Sequence, residues 1–428
     1  MFALLPLITF IVIYLGISIL MGDFYKVPVT VAFLISSIVA VLTLKGRSMG
    51  ERMKIFTRGA GQENVMLMLW IYVLAGAFAA SAKAIGSIDA TVNMTLHMLP
   101  PQMIMAGLFL AACFISLSIG TSVGTVVALV PLAADISAKT TLASSGMALS
   151  QDVMLPLTTA IVVGGAYFGD NLSFISDTTV AATKTQGCRM NDKFKANFRI
   201  VMPAAIVVLI AYIILGLGAN VTSEIPDYNL LLVLPYLLVL LLAVCGMDVM
   251  IVLTLGCVAT GIVGLINGAY DVFGWMHAMG DGIIGMGELI IVAMLAAGML
   301  EAIRVNGGID FIINSILKKV NGKKGAEGAI ALLVTLVNIC TANNTVAIIT
   351  VGGICRNIAE RFDISPRRAA SLLDTFSCFT QGLLPYGVQL LLAGGLAGIA
   401  STAIISYLFY PFAIGIAATC SILMKVKR

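Results

Sequence analysis

The sequence predicts an all-α polytopic membrane protein of about ten to twelve transmembrane segments, with inverted-topology repeats and broken helices or re-entrant hairpins. Three observations carry that expectation. The 428-residue chain is 60% hydrophobic and only 11% charged, with a mean hydropathy of +1.04. A soluble domain carries about a quarter charged residues, so this chain lacks the polar groups to cover itself in water. Long apolar runs recur along it, and three of them are interrupted by glycine, carboxylate, amide and hydroxyl residues where a lipid-spanning helix should be continuous.

Full-length spans are expected over 3–21, 27–44, 62–82, 103–119, 197–218, 230–247, 249–266, 283–303 and 403–424. At 1.5 Å rise per residue each approaches or crosses a hydrocarbon core of about 30 Å. The first run has no basic leader and no clear small-x-small cleavage site, so it reads as a retained helix and not a signal peptide. The interrupted regions are 120–183, 326–355 and 370–401. Four parts follow: a helical pair and basic loop over 1–61, a first repeat over 62–196, connecting helices over 197–282, and a second repeat with a terminal helix over 283–428.

Basic residues gather in KGRSMGERMKIFTR (45–58), CRMNDKFKANFR (188–199), KKVNGKK (318–324), the set Arg356, Arg361, Arg367 and Arg368, and the final KVKR. The positive-inside rule places these connections, and both termini, in the cytoplasm. Both ends of 326–355 then lie inside. That region forms either two short crossings or a re-entrant hairpin with its tip near Thr341, Ala342, Asn343 and Asn344.

The breaks hold the chemistry. In GGAYFGDNLSFISDTT (164–179), Asp170 and Asp177 are accompanied by Asn171, Ser173, Ser176, Thr178 and Thr179, while Gly164, Gly165 and Gly169 are expected to permit unwinding and close approach. A carboxylate inside a membrane normally faces a cation, a proton path or a polar cavity, and oxygen-rich sets suit Na⁺. A Na⁺ site is therefore proposed at Asp170 and Asp177, with capping of a helix resuming near Leu172 as the plainer role for Asp170. Thr121 and Ser122 lie in GTSVGT (120–125), which serves either ion binding or close helix packing. In TANNTV (341–346), Asn343 and Asn344 either ligate or form a structural network. Asp374, with Thr375 and Gln381, repeats the acidic theme, either in the site or at a cytoplasmic entry near Arg367 and Arg368. Glu288 is a secondary candidate. Lys83, Asp89, Glu63, Asp248 and Glu301 lie near segment ends, where long side chains reach water.

The two halves share an order of features, a small-and-polar break followed by an acidic broken segment, and begin on opposite sides. That is the pattern of inverted repeats whose breaks converge near the midplane. No GxxxxGK[ST] loop is present, so an ion gradient is the expected driving force. The eight cysteines and two histidines show no metal-ligand spacing, and no cofactor is expected.

GTSVGT followed by GGAYFGDNLSFISDTT resembles the NhaC family of Na⁺/H⁺ antiporters, in the wider ion transporter superfamily. Gly165, Ala166, Phe168, Gly169, Asp170, Ser173, Ser176, Asp177, Thr178 and Thr179 fall on that family's G-A-x-F-G-D-x-x-S-P-x-S-D-T-T stretch, with Phe174 where it usually has proline. The resemblance implies a multi-pass secondary carrier of the bacterial inner membrane rather than an enzyme. It implies Na⁺ and H⁺ as transported or coupling ions and the lipid bilayer as the main partner, with no role for nucleic acid and a homodimer as an assembly to test. Two functions stand at this point. One is exchange of Na⁺ for H⁺ through the carboxylates of the broken helices. The other is Na⁺- or H⁺-coupled transport of a small organic anion or amino acid, with amides and helix-end N–H groups holding its carboxylate.

Overall fold

The structure is a computed structural model that describes residues 2–17, 28–119, 121–144, 147–148, 151–173, 176–221, 226–245, 247–317 and 320–424. Its helices are α1 (Leu5–Phe10), α2 (Val29–Thr43), α3 (Met49–Ala60), α4 (Glu63–Ala84), α5 (Ser87–Met98), α6 (Ile104–Ile119), α7 (Ser122–Lys139), α8 (Gln151–Leu172), α9 (Asp177–Gln186) and α10 (Met190–Gly216). There follow α11 (Leu230–Val244), α12 (Val249–Asn267), α13 (Val272–Gly285), α14 (Gly287–Val305), α15 (Gly308–Leu317), α16 (Gly322–Thr341), α17 (Asn344–Arg361), α18 (Pro366–Gln381), α19 (Val388–Ala397), α20 (Ser401–Ile405) and α21 (Phe409–Leu423).

Among the described residues, seven helical stretches are long and apolar enough to cross a membrane, or eight if α5 and the helix after it, bent by 109°, count as one span. Shorter apolar helices of 10–17 residues supply further segments, among them Leu230–Leu242 and Phe409–Leu423. The helix over Ser87–Met98 lies in what reads as a connection in the sequence, because Asp89, Asn93 and His97 break its apolar run. The helical chain also carries a small antiparallel sheet that hydropathy does not reveal. Its strands are β1 (Thr140–Ser144), β2 (Met147–Ala148) and β3 (Ala219–Val221), in the order β2-β1-β3. Short strands at helix ends satisfy backbone groups that lipid would leave bare.

The repeat is visible in the helix order. α6 and α7 flank a break at Thr121, and α16 and α17 flank one at Ala342–Asn343. The residue that precedes the second helix is extended in both, with φ −142° and ψ 128° at Thr121, and φ −146° and ψ 117° at Asn343. A long helix follows, α8 or α18, then a gap, then a ten-residue helix, α9 or α19. Each ten-residue helix packs on the other unit, α9 against α17 and α19 against α7. The breaks of the two units are thereby brought together.

Burial separates these helices from the rest. The apolar window of 152–186 is 83% buried and that of Ser122–Lys139 is 72% buried, against 33% for Met190–Gly216 and 35% for Val272–Val305. The helices of 122–139 and 152–186 lie in the interior, and those of 190–216 and 272–305 present apolar side chains such as Val207, Ile214 and Ile284 outward.

One local expectation is corrected. Gly164, Gly165 and Gly169 do not unwind the chain, because α8 runs through all three and ends at Leu172. A Cβ at Gly169 would collide with Ser116, and one at Gly165 would lie 2.8 Å from the Phe109 carbonyl. These glycines let α6 lie directly on α8. The helix end falls immediately before Ser173, and α9 begins at Asp177.

Candidate functional site

The last turn of α8 places two consecutive polar residues in the protein interior. Asp170 is 4% exposed and Asn171 fully buried. Their side chains serve different networks. Asp170 accepts the backbone N–H of Ser122 at 3.1 Å on one oxygen and the Ser122 hydroxyl at 2.6 Å on the other. Asp170 is thus a cap, but of α7, from across the interface, and not of a helix resuming near Leu172. A carboxylate at a helix N-terminus meets unsatisfied N–H groups and the positive end of the helix dipole. The sequence of α7 leaves that end open, since Thr121 makes no side-chain cap.

The Ser122 hydroxyl also accepts from Gln389 Nε2 at 3.0 Å. Gln389 Oε1 accepts from Gln381 Nε2 at 3.1 Å, and Gln381 Nε2 donates as well to the Ala342 carbonyl at 3.0 Å. A continuous polar chain therefore joins Asp170 to the tip of the second break. Ala342 has φ +51°, the left-handed region, which is uncommon for a residue with a Cβ.

Asn171 leads to the other carboxylate. Its Nδ2 donates to Asp374 Oδ2 at 3.1 Å, and its Oδ1 accepts from the Tyr410 hydroxyl at 2.8 Å. Asp374 is fully buried on α18 and does not sit at a cytoplasmic entry; Arg368 is engaged instead with Glu327 and Ser421. Asp374 Oδ2 also receives Asn197 Nδ2 at 2.6 Å and Lys193 Nζ at 2.9 Å. Lys193, 1% exposed, donates further to the Asn171 carbonyl at 2.9 Å and the Thr179 hydroxyl at 2.6 Å. Asn197 Nδ2 shares that carbonyl at 2.8 Å. Asp374 Oδ1 and Asn197 Oδ1 are buried with no partner.

Of the other residues singled out in the sequence, Thr178 joins this center, donating to the Asp170 carbonyl at 3.2 Å and pairing with Ser176 at 2.8 Å. The carbonyls of Asp170 and Asn171, left open where α8 stops, are thus taken up by Thr178, Lys193 and Asn197. Ser173 donates to the Leu117 carbonyl at 3.0 Å, tying the break to α6. Thr375 returns its hydroxyl to Ser371 of its own helix at 2.8 Å. Asp177 is exposed on the first turn of α9, outside the buried network. Glu288 is exposed on the first turn of α14 and is not brought to the site. Phe174 lies outside the described residues.

Asn343 and Asn344 belong to a neighboring feature. Asn343 caps α17 through Val346 N–H at 3.0 Å, and Asn344 Oδ1 accepts Thr345 N–H at 3.0 Å. Thr341, Ala342 and Asn343 form part of the wall of a cavity of about 360 Å³. Tyr72 and Glu301 line it as well. Glu301 is held by Arg304 through two 2.8 Å contacts, and the buried Tyr72 hydroxyl has no partner.

Lys193, Asn197, Gln389 and Tyr410 are the site residues that sequence reasoning misses. Lys193 sits in CRMNDKFKANFR, where its charge reads as one more cytoplasmic lysine. The available signal is its spacing of four from Asn197, which sets both on one face as the helix enters the membrane. Gln389 and Tyr410 have no such local signal, being single polar atoms in apolar runs.

Among the described residues no cluster of three or more His, Cys, Asp or Glu side chains could hold a metal ion. The oxygens at Asp170 and Asp374 come instead from one carboxylate each, with carbonyls, amides and hydroxyls, a set suited to a monovalent hard cation or a proton.

The sequence matches the profile of the Na⁺/H⁺ antiporter family over residues 1–217 and 228–426. It is 21% identical to the malate-2H(+)/Na(+)-lactate antiporter of Bacillus subtilis (strain 168), over 96% of this chain and 94% of that protein. It is 22% identical to the Na(+)/H(+) antiporter NhaC of Alkalihalophilus pseudofirmus, over 75% of this chain and 74% of that one. Among solved structures, the YdaH transporter of Alcanivorax borkumensis aligns with 92% of this chain and 97% of its own, at 13% identity and a TM-score of 0.47. A multi-pass architecture whose broken helices bury two carboxylates agrees with the profile match: the chain is a membrane transporter of the Na⁺/H⁺ antiporter family.

Proposed function

We propose that the protein exchanges Na⁺ for H⁺ across the bacterial inner membrane, with both termini in the cytoplasm. The observation that carries this reading is the pair of buried carboxylates, Asp170 and Asp374, contributed by different repeat units and linked through Asn171. Desolvated carboxylates inside a membrane call for a counter-charge, and a proton or a Na⁺ supplies it equally well in formal charge. Occupation by one excludes the other, and alternating access turns that competition into exchange. Ser122 orients Asp170, while Thr178, Ser176 and the carbonyls at the end of α8 complete the oxygen set. Asp177, exposed at the start of α9, receives the ion outside the closed network.

Reconstituted proteoliposomes test this. A Na⁺ gradient is expected to drive proton movement, and Asp170→Asn to abolish it while the protein remains folded. Wild-type vesicles with no Na⁺-dependent proton movement at neutral or alkaline pH would sink the reading.

A second reading is coupled transport of a small organic anion or amino acid, and the 360 Å³ cavity favors it. A bare cation needs no such volume, which falls in the range of small-molecule sites. The relative from Bacillus subtilis named for malate and lactate belongs beside this reading. A panel of labeled hydroxy, dicarboxylic and amino acids decides. Uptake of none of them, with Na⁺ flux intact, rejects it.

A further inference from the structure

Lys193 presents a buried ammonium where the proposed exchange needs a cation. Its nitrogen is held by one anionic oxygen, one carbonyl and one hydroxyl, those of Asp374, Asn171 and Thr179. An ammonium has three protons, and these contacts use all three. Two more buried oxygens stay without a partner, Asp374 Oδ1 and Asn197 Oδ1. Both belong to groups already joined at Asp374 Oδ2. Leaving a buried acceptor unpaired costs about 1–3 kcal/mol. A site built only to hold a lysine has no use for the two spare oxygens. A spherical cation, which takes oxygen ligands from all directions, would use them.

We propose that Lys193 is a tethered substitute for the transported cation: its ammonium fills the Asp374 oxygen cage in the ion-free protein, and Na⁺ displaces it. This rests on the Na⁺/H⁺ reading above and gives it a coupling step. The balance is Na⁺ plus the Asp374 carboxylate–Lys193 ammonium pair going to the Asp374 carboxylate–Na⁺ pair plus neutral Lys193 and one H⁺. The proton passes to the water from which Na⁺ entered. The charge of the cage is the same before and after, so the buried carboxylate is never left unbalanced, which would be costly. The ionizable groups around this center include Asp374 and Cys378 on α18, Asp170 and Tyr167 on α8, Asp177 on α9, Tyr410 on α21, Cys188 before α10 and Asp192 in its first turn.

The test is Na⁺ binding to the purified full-length protein by calorimetry in buffers of different ionization enthalpy, which counts released protons. Wild type is expected to release about one proton per Na⁺ and to bind more weakly at acidic pH. Lys193→Gln is expected to release almost none and to bind Na⁺ at least roughly tenfold more tightly at acidic pH, because the competing charge is gone. Lys193→Arg keeps a permanent charge and is expected to bind at least roughly tenfold more weakly at every pH. If Lys193→Gln does not fold, the double variant Lys193→Met/Asp374→Asn removes both charges and is expected to lose the proton release together with most Na⁺ affinity. A wild-type proton count and pH dependence in any folded Lys193 variant overturns the inference. Wild-type protein that neither binds nor carries Na⁺ defeats the sodium reading itself. Wild type that does both, with Lys193→Gln unchanged, defeats only the role of Lys193.

Discussion

At the first break, the last turn of α8 sends a carboxylate, Asp170, onto the amide and hydroxyl of Ser122. At the second, the end of α18 sends an amide, Gln381, onto the carbonyl of Ala342. The backbone plan is shared, down to the extended residue before α7 and α17. What differs is how each second helix is capped. Asn343 and Asn344 accept two early N–H groups of α17 with their own side chains, whereas Thr121 makes no side-chain cap and the N–H of Ser122 goes to Asp170. The self-capped break leaves a carbonyl to be met by a donor. The uncapped break leaves a donor to be met by an anion. One architecture thus places a carboxylate at the end of one long helix and a neutral amide at the end of the other.

The largest expected effect breaks the apparent equivalence of the two carboxylates. Asp374→Ala strands the Lys193 ammonium in the interior and is expected to destabilize the protein by about 3–5 kcal/mol. Asp170→Ala removes an acceptor from neutral donors only, and about 1.5–3 kcal/mol is expected. Reversible unfolding of both variants in mixed micelles measures the gap. Equal costs would mean that the Lys193 pair is not formed.

Next comes the chemistry of the second break. Gln381→Glu turns the shared donor into an acceptor facing two others, Ala342 O and Gln389 Oε1. A loss of about 1–3 kcal/mol is expected in the same unfolding measurement. A neutral result would show that the chain from Ala342 to Asp170 is not continuous.

The capping contrast is smaller. Asn343→Ala is expected to cost about 1 kcal/mol, the usual worth of an N-cap side chain, and Thr121→Ala only a few tenths. Comparable losses at both positions would indicate a side-chain cap at Thr121 after all.

Much of this was legible in the sequence, for physical reasons that can be named. Apolar runs long enough for a bilayer report themselves by length alone, and polar residues inside them mark breaks because lipid offers no other partner. Asp170, Asn171, Ser122, Thr178, Asp374 and Gln381 were found that way, and the structure brings them into connected networks. Of the two roles the glycines offer, only close approach is realized, and the sequence does not choose because a glycine that permits unwinding and one that permits helix contact look alike without the facing residue, here Ser116. Lys193 was hidden by the positive-inside pattern, which explains a lysine at a helix entry without asking where its side chain goes. Gln389 and Tyr410 meet Ser122 and Asn171 across more than 230 residues of sequence, a distance no local pattern spans.

The smallest effect sharpens the comparison at the tip itself. Ala342 holds φ +51° and ψ +19°, a left-handed conformation that a Cβ disfavors by roughly 1–2 kcal/mol. Gln381 holds the carbonyl of this residue, and Ala342 N–H closes on Asn338 at 2.8 Å. Ala342→Gly relieves the steric cost but gives the unfolded chain more freedom, which offsets part of the gain. A net stabilization of about 0.5–1 kcal/mol is expected, provided the left-handed turn is only the way the hairpin closes. Should the same substitution instead slow Na⁺-driven proton exchange while stability rises, the strained tip contributes to the moving part of the cycle. The two breaks would then differ in mechanics as well as in charge, with Asp170 fixing the start of α7 and the Ala342 turn setting how readily the second break moves.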